Sequence, residues 1–68
     1  MTDPIQTSPI MKYFRYEHLP EGPARETSAL CCEIAKEMER ALPSGPEKSA
    51  GLRKLLEAKD CFVRAALP

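Results

Sequence analysis

Residues 42–66 have the sequence LPSGPEKSAGLRKLLEAKDCFVRAA, and this stretch decides the fold. Two prolines and a glycine at its start predict a turn, because proline ends one helix and is tolerated at the first position of the next. Ser44 and Glu47 have the spacing of a capping box, in which each side chain satisfies a main-chain N–H at a helix start. We therefore expect a helix from about Pro46 to Ala66.

Small and apolar residues recur with helical spacing on both sides of this turn. After the turn the pattern comprises Leu52, Leu55, Leu56, Lys59, Phe62, Val63 and Ala66, with Ala58 and Ala65 at its margins. Before the turn it comprises Ala24, Ser28, Cys31, Ala35, Met38 and Leu42, widened by Leu30, Ile34 and Ala41. The earlier helix is expected to begin near Gly22–Pro23, or at a cap supplied by Thr27 or Ser28. Two such helices joined by a short turn predict an all-α, antiparallel helical hairpin.

The segment before the first helix predicts a tail and then an extended arm. Residues 1–12 include two prolines and show no apolar periodicity, so we assign them to a flexible tail and residues 13–68 to the hairpin domain. The arm carries Tyr13, Phe14 and Tyr16 shortly before a proline, which favours extended geometry in the residue preceding it. These aromatic side chains either seal the open side of a thin helical core or stack on a ligand.

The chain is short for a stable monomer. At 68 residues it is expected to bury only about 60% of its unfolded surface on folding, and small domains usually gain stability from disulfides, a metal or partner subunits. The number of cysteines is odd, and two of the three are adjacent in sequence: Cys31, Cys32 and Cys61. Such a set is poorly suited to forming disulfides. With one histidine, His18, a zinc site is not expected either. We therefore expect a symmetric homo-oligomer.

Net charge and hydropathy limit the classes of partner that the chain is expected to bind. Ten basic and ten acidic side chains give a formal net charge of zero, whereas a polynucleotide-binding protein usually has a basic excess, so DNA is not an expected partner. A small anion in a local pocket remains compatible with this balance. No segment approaches the roughly 20 apolar residues needed to span a bilayer, so we expect no membrane association and a reducing cytoplasm.

No catalytic pattern is evident, and we expect neither an enzyme nor a cofactor. The glycines are isolated, so there is no glycine-rich phosphate loop, and His18 is the only side chain that ordinarily titrates near neutral pH. It is interpreted either as a hydrogen-bonding turn residue or as a ligand contact. Cys31 and Cys32 are interpreted as small core or interface residues.

One polar face of the second helix has two interpretations. Arg53, Glu57, Asp60 and Arg64 lie at positions i, i+4, i+7 and i+11. They form either a solvated ladder of weak ion pairs or, where several copies meet on a symmetry axis, a ring of arginines suited to phosphates.

Three segments together carry a resemblance to a known family. They are Phe14-x-Tyr16-x-His18-Leu19-Pro20, Leu42-Pro43-Ser44-x-Pro46-Glu47, and residues 52–66 with the sequence LRKLLEAKDCFVRAA. In this order they resemble the small phage anti-CBASS sponges, which sequester the cyclic nucleotides that bacterial immune systems use as alarm signals. The resemblance covers about residues 13–67.

The resemblance implies a hexamer of helical hairpins with two kinds of pocket. One takes cyclic dinucleotides between paired protomers, and the other takes cyclic trinucleotides on the symmetry axis. Tyr16 matches the arm tyrosine that stacks on a base, and Arg53 and Arg64 fall on the face that lines the axial pocket. A first-helix lysine of the dinucleotide pocket has no counterpart, since residues 30–32 are Leu-Cys-Cys. This difference favours the axial site.

The predicted ligand-binding residues are Arg15, Tyr16, His18, Arg53 and Arg64. The predicted function is the capture of cyclic di- and trinucleotides, without cleavage, in the cytoplasm of an infected bacterium. The alternative is a small oligomeric protein-interaction module that has no nucleotide ligand.

Overall fold

The computed structural model describes residues 8–67, and this part of the chain is all-helical. A short 3₁₀ helix spans Pro9–Tyr13 and is followed by helix α1 over Pro23–Ala41 and helix α2 over Pro46–Ala66. The all-α class is confirmed, and both long helices begin where the proline signals predicted. Neither α1 nor α2 combines the length and apolarity needed to cross a membrane.

Glycine and proline together start each long helix. Gly22 has a φ of 140°, a conformation that favours glycine, and Pro23 follows as the first residue of α1. Gly45 and Pro46 occupy the same two positions at α2, and no side chain caps either helix. The predicted capping box is therefore wrong, because Ser44 lies one residue before the cap position that the box requires.

The two helices pack against each other with the geometry of a hairpin. Near the turn, the Lys48 ammonium donates a hydrogen bond to the main-chain carbonyl of Glu39 at 2.9 Å. Further along, Leu52 of α2 is buried in one cluster with Cys32 and Ala35 of α1. The buried cysteine and alanine are small, so the helices can approach closely, but the core that they enclose is thin.

The arm covers one side of this helix pair. Phe14 is only 5% exposed and completes the core cluster, so the interpretation of the aromatics as a seal holds for this residue. The hydroxyl of Ser28 donates to the carbonyl oxygen of Arg15 at 2.9 Å, and the Glu39 carboxylate accepts the main-chain N–H of Ser8 at 2.6 Å. These bonds fix both ends of the segment from Ser8 to Arg15 on α1.

The arm is less extended than predicted. After the 3₁₀ helix, residues 14–16 have no regular structure, and a turn follows in which the N–H of Leu19 donates to the carbonyl of Tyr16 at 3.0 Å. Of the segment assigned to a flexible tail, residues 1–7 lie outside the described part of the chain. Its remaining residues include Ile10 and Met11, which pack against the core.

The opposite side of the helix pair is apolar and exposed. Met38, Leu42 and Phe62 belong to the apolar patterns of the two helices, and all three are exposed. They are exposed because each helix has an apolar face wider than one neighbouring helix and the arm can cover. Leu30 and Ile34 extend the exposed surface along α1.

Candidate functional site

An electropositive cleft lies where the arm meets α2. It has a volume of about 370 Å³ and is lined by Lys12, Tyr13, Arg15, His18 and Lys59. Four of these residues come from the arm, and the fifth comes from the middle of α2. The structure therefore brings together two of the predicted ligand-binding residues, Arg15 and His18, with Tyr13, for which stacking on a ligand was one of two interpretations. It adds Lys12 and Lys59, which were not predicted to bind ligand.

Lys59 is the unusual member of this cleft. It is 6% exposed, occupies a position in the apolar stripe of α2 and lines the cleft together with four residues of the arm. A lysine is almost never buried without a partner for its charge, because removing an ammonium group from water is costly. Its presence in an otherwise apolar stripe was the sequence signal that could have revealed the cleft.

The cations of the cleft have no carboxylate partners among residues 8–67. The ion pairs in this part of the chain join Lys36 to Glu33, Arg40 to Glu37 and Lys48 to Glu39. Lys12, Arg15 and Lys59 belong to none of them, and the described residues that line the cleft include no acidic side chain. Three positive groups around one small concavity favour an anion, and each can donate charge-assisted hydrogen bonds to phosphate oxygens.

An aromatic ring stands at the edge of this cleft. Tyr13 is 57% exposed, and the Lys12 ammonium lies 5.2 Å from the centre of its ring. At that distance the cation is attracted to the negative face of the ring. A flat, exposed ring next to cationic side chains is the combination that binds a base together with its phosphate.

Tyr16 lies in a different concavity. This second cleft has a volume of about 220 Å³ and is lined by Tyr16, Glu21, Gly22, Arg25, Glu26 and Ala29. The Arg25 guanidinium lies 5.6 Å from the centre of the Tyr16 ring and donates a hydrogen bond to the carbonyl of Leu19 at 3.3 Å. The carboxylates of Glu21 and Glu26 make this second cleft less favourable for an anion. Tyr16 therefore does not share a cleft with Arg15 and His18, which line the first one.

Arg53 and Arg64 lie exposed on α2, away from both of these clefts. Their separation of eleven residues corresponds to about 16 Å along a helix, too far for one small phosphate group. The ladder of ion pairs, one of the two interpretations of this polar face, is absent among the described residues, since none of the observed pairs involves Glu57 or Asp60. Arg64 instead donates to the sulfur of Cys61 at 3.5 Å.

Two of the three cysteines lie in the core, and none forms a disulfide. Cys31 and Cys32 are buried in α1 and Cys61 is exposed, and all three thiols are free. Burial raises the pKa of the Cys32 thiol above its ordinary value, which Lys59 and a hydrogen bond with Ser28 only partly offset. A thiol with a raised pKa is a poor nucleophile, in agreement with the interpretation of this residue as part of the core.

Within residues 8–67 there is no cluster of three or more histidine, cysteine, aspartate or glutamate side chains that could hold a metal ion.

No protein-family model, curated protein or solved structure matches this chain.

Proposed function

We propose that this protein binds a cyclic oligonucleotide in the electropositive cleft and sequesters it without cleaving it. The observation that carries the proposal is the meeting of Lys12, Arg15 and Lys59 around one concavity, with no carboxylate from residues 8–67 beside them. A volume of about 370 Å³ lies within the range of small-molecule sites, which supports a mononucleotide-sized part of such a ligand.

In the proposed complex, the three cations hold a phosphodiester and the ring of Tyr13 stacks on an adjacent base. Stacking on an aromatic ring contributes about 1–3 kcal/mol per base, and hydrogen bonds to charged groups about 1.5–3 kcal/mol each. His18 is exposed at the cleft and can donate or accept a hydrogen bond at the sugar or the base edge. Binding of this kind needs no group that attacks phosphorus, so the ligand is retained intact.

The resemblance to anti-CBASS sponges suggests a cellular role for this binding. We propose that the protein acts in the cytoplasm of an infected bacterium, where it removes the cyclic di- and trinucleotides that activate host immunity. A symmetric oligomer, a hexamer in that family, would bring copies of Arg53 and Arg64 together on an axis and create the second site. Tyr16 retains its proposed role as a stacking residue of the dinucleotide pocket.

The proposal is tested by calorimetric titration with a panel of cyclic di- and trinucleotides. We expect submicromolar binding by the wild-type chain and recovery of intact ligand after heat denaturation. A variant with Lys12→Gln and Arg15→Gln should lose the cleft's share of this binding, whereas Lys54→Gln, which changes an exposed lysine outside the cleft, should not. A flat response from the wild-type chain across the whole panel would overturn the proposal.

A second candidate is a protein-interaction module, and the exposed apolar side of the helix pair favours it. Leu30, Ile34 and Met38 lie along one line on α1, and all three are exposed. This candidate predicts no affinity for any cyclic nucleotide and no effect of the cleft variants. The same titration therefore separates the two candidate functions.

A further inference from the structure

The second cleft combines charges of both signs around one aromatic ring. Glu21 and Glu26 line it together with Tyr16 and Arg25, and its volume is about 220 Å³. The two carboxylates repel a phosphate group, and the Arg25 guanidinium repels a free cation. A neutral group that donates hydrogen bonds is compatible with both charges. The second cleft therefore favours a different part of a ligand from the part that the electropositive cleft favours.

Neither carboxylate of the second cleft is paired within residues 8–67. None of the ion pairs in this part of the chain involves Glu21 or Glu26. The Arg25 guanidinium lies in the same cleft, but it donates a hydrogen bond to the carbonyl of Leu19 and lies over the ring of Tyr16 instead. The oxygens of both carboxylates can therefore accept hydrogen bonds from a ligand.

The Tyr16 ring is a fixed surface of this cleft. It is half-buried and packs against the core cluster that contains Phe14 and Leu52. The Arg25 guanidinium lies 5.6 Å from the centre of the ring. Aromatic rings and arginine guanidinium planes are both surfaces on which proteins stack nucleic-acid bases. A base stacked on either surface lies in the same cleft as the two carboxylates.

A carboxylate at the Watson–Crick edge of a base selects guanine. Guanine has two adjacent donors on this edge, its N1–H and its N2 amino group, and one carboxylate can accept both hydrogen bonds. Adenine and cytosine have an amino group beside a ring nitrogen whose lone pair repels a carboxylate oxygen. Uracil has one N–H between two carbonyl oxygens, which repel it as well. Guanine is therefore the base whose donors match a carboxylate.

We propose that the second cleft binds a guanine base of the ligand and that Glu21 and Glu26 make the protein prefer this base. The inference rests on the proposed function, because the base belongs to the cyclic oligonucleotide whose phosphate occupies the electropositive cleft. It adds a preference among the bases, which the cations of the electropositive cleft cannot provide, since every nucleotide carries the same phosphate.

The two clefts adjoin each other across the arm. Arg15 and Tyr16 are consecutive residues, with Cα atoms about 3.8 Å apart, yet each lines a different cleft. A cyclic dinucleotide carries two bases on one ring of phosphodiesters. One base can stack on Tyr13 at the electropositive cleft while the other enters the second cleft. A single guanine in the ligand is therefore enough for recognition.

Calorimetric titration of the full chain with cyclic di-GMP, cyclic GMP–AMP and cyclic di-AMP tests this preference. We expect the first two ligands, which each contain guanine, to bind with similar affinity. Cyclic di-AMP should bind about 5- to 150-fold more weakly, the range expected for one bidentate contact with a base. Equal affinity for all three ligands, or a preference for cyclic di-AMP, would overturn the inference and leave the proposed function intact. No binding of any of the three would also overturn it, and the cyclic trinucleotides then decide the proposed function separately.

A variant with Glu21→Gln and Glu26→Gln keeps the size of both side chains and removes their charges. It should lose the preference for guanine, because an amide group has one acceptor oxygen beside an amino donor that faces the second guanine donor. Removal of negative charge strengthens the binding of every anionic ligand. The measured quantity is therefore the ratio of the affinities for cyclic di-GMP and cyclic di-AMP, from which this general effect cancels.

The matched control is a variant with Glu33→Gln and Glu37→Gln. It removes two negative charges from exposed positions of α1 that line neither cleft, so the affinity ratio should stay at the wild-type value. A wild-type ratio in the variant of Glu21 and Glu26 would exclude these carboxylates from base recognition.

An analogue of the ligand gives a second test on the unmodified protein. Cyclic di-IMP contains hypoxanthine in place of guanine, so it retains N1–H and lacks the N2 amino group. The loss of one charge-assisted hydrogen bond should weaken binding about tenfold or more relative to cyclic di-GMP. Equal affinity for the two ligands would contradict recognition of the guanine edge by a carboxylate.

Discussion

The Lys48 ammonium lies 3.0 Å from the carboxylate of Glu39 and 2.9 Å from the main-chain carbonyl oxygen of the same residue. It also donates to the carbonyl of Leu42 at 2.9 Å. Lysine therefore satisfies two carbonyl oxygens at the end of α1, where a helix leaves such groups without partners, and its charge opposes the negative end of the helix dipole. The Glu39 carboxylate simultaneously accepts hydrogen bonds from the main-chain N–H and hydroxyl of Ser8. One ion pair thus joins the arm, α1 and α2.

Glu39→Gln should destabilise the fold in a pH-dependent way. The pKa of Glu39 lies below its ordinary value of 4.5, chiefly because its carboxylate accepts the N–H of Ser8, with further contributions from the Ser8 hydroxyl and Lys48. A lowered pKa in the folded state means that the stabilisation is present above pH 4.5 and is lost as the pH falls through the folded-state pKa. We expect the variant to lose about 1–2 kcal/mol at pH 7 in urea unfolding.

The same comparison near pH 3 should show a smaller difference between wild type and variant, because protonation removes the charge from Glu39. Glu37→Gln is the control, since Glu37 forms an exposed pair with Arg40 and such pairs contribute less than about 1 kcal/mol. An equal loss at both pH values would contradict the proposed electrostatic role of Glu39.

The helices could be predicted from sequence because local signals fix them. Pro23 and Pro46 are each the first residue of a helix, and the spacing of small residues identified the side of α1 that is buried. The capping-box prediction failed because two signals for a helix start compete at adjacent positions. Glycine followed by proline is also favourable at a helix start, and the cap residue is Gly45, one position after Ser44.

Ser44→Ala tests that correction. If Ser44 capped α2, its loss would cost about 1 kcal/mol, as removal of a serine cap usually does. Since no side chain caps α2, we expect the free energy of unfolding to change by less than about 0.5 kcal/mol, the range of ordinary surface substitutions. Chemical denaturation of the two proteins under identical conditions gives the answer, and a loss near 1 kcal/mol would restore the capping box.

Ser28→Ala should loosen the arm while leaving the helices formed. The Ser28 side chain is fully buried, and its hydroxyl is the donor to the carbonyl of Arg15. Removing it leaves that carbonyl without its partner, at a cost of about 1–3 kcal/mol. Amide hydrogen exchange should accelerate in residues 9–16 more than in α2. Because the arm supplies four residues of the cleft, anion binding should weaken in parallel.

The site was harder to predict than the fold, since it depends on contacts between distant parts of the chain. Arg15 and His18 were identified as candidates from the composition of the arm, but nothing local shows that the arm lies over Lys59. The burial of Phe14 and the hydrogen bond from Ser28 place it there. Tyr16 is three residues from Tyr13 yet faces another cleft, because the chain leaves the 3₁₀ helix between them and turns.

Tyr16→Ala and Arg64→Ala should separate the two proposed kinds of ligand. Loss of the Tyr16 ring should chiefly weaken dinucleotide capture, by about 1–3 kcal/mol for one stacked base. Arg64→Ala should abolish trinucleotide capture without dissolving the proposed oligomer, because Arg64 is a polar, exposed residue of α2. Titration of each variant with both ligand classes, together with its mass by light scattering, checks this. Unchanged binding in both variants would exclude these two residues from the sites.

Lys59→Met should weaken ligand binding without weakening the fold. Lys59 is 6% exposed, and no carboxylate among residues 8–67 lies within 4 Å of its ammonium, so methionine, an apolar side chain of similar length, fits the same position without breaking an ion pair. We therefore expect a free energy of unfolding that is unchanged or higher by about 1 kcal/mol. Loss of one charge-assisted hydrogen bond to phosphate should raise the dissociation constant about 10- to 100-fold.

Weaker ligand binding without a loss of stability distinguishes a lysine that binds ligand from a lysine that stabilises the fold. A lysine that held the fold together would lose stability and binding in the same proportion when replaced. Lys54→Met removes an exposed positive charge from the same helix and should change neither quantity appreciably, which controls for net charge. Denaturant unfolding and calorimetric titration of the two variants measure the two quantities independently. A less stable Lys59→Met protein that still binds with wild-type affinity would show that the lysine supports the arm and does not contact the anion.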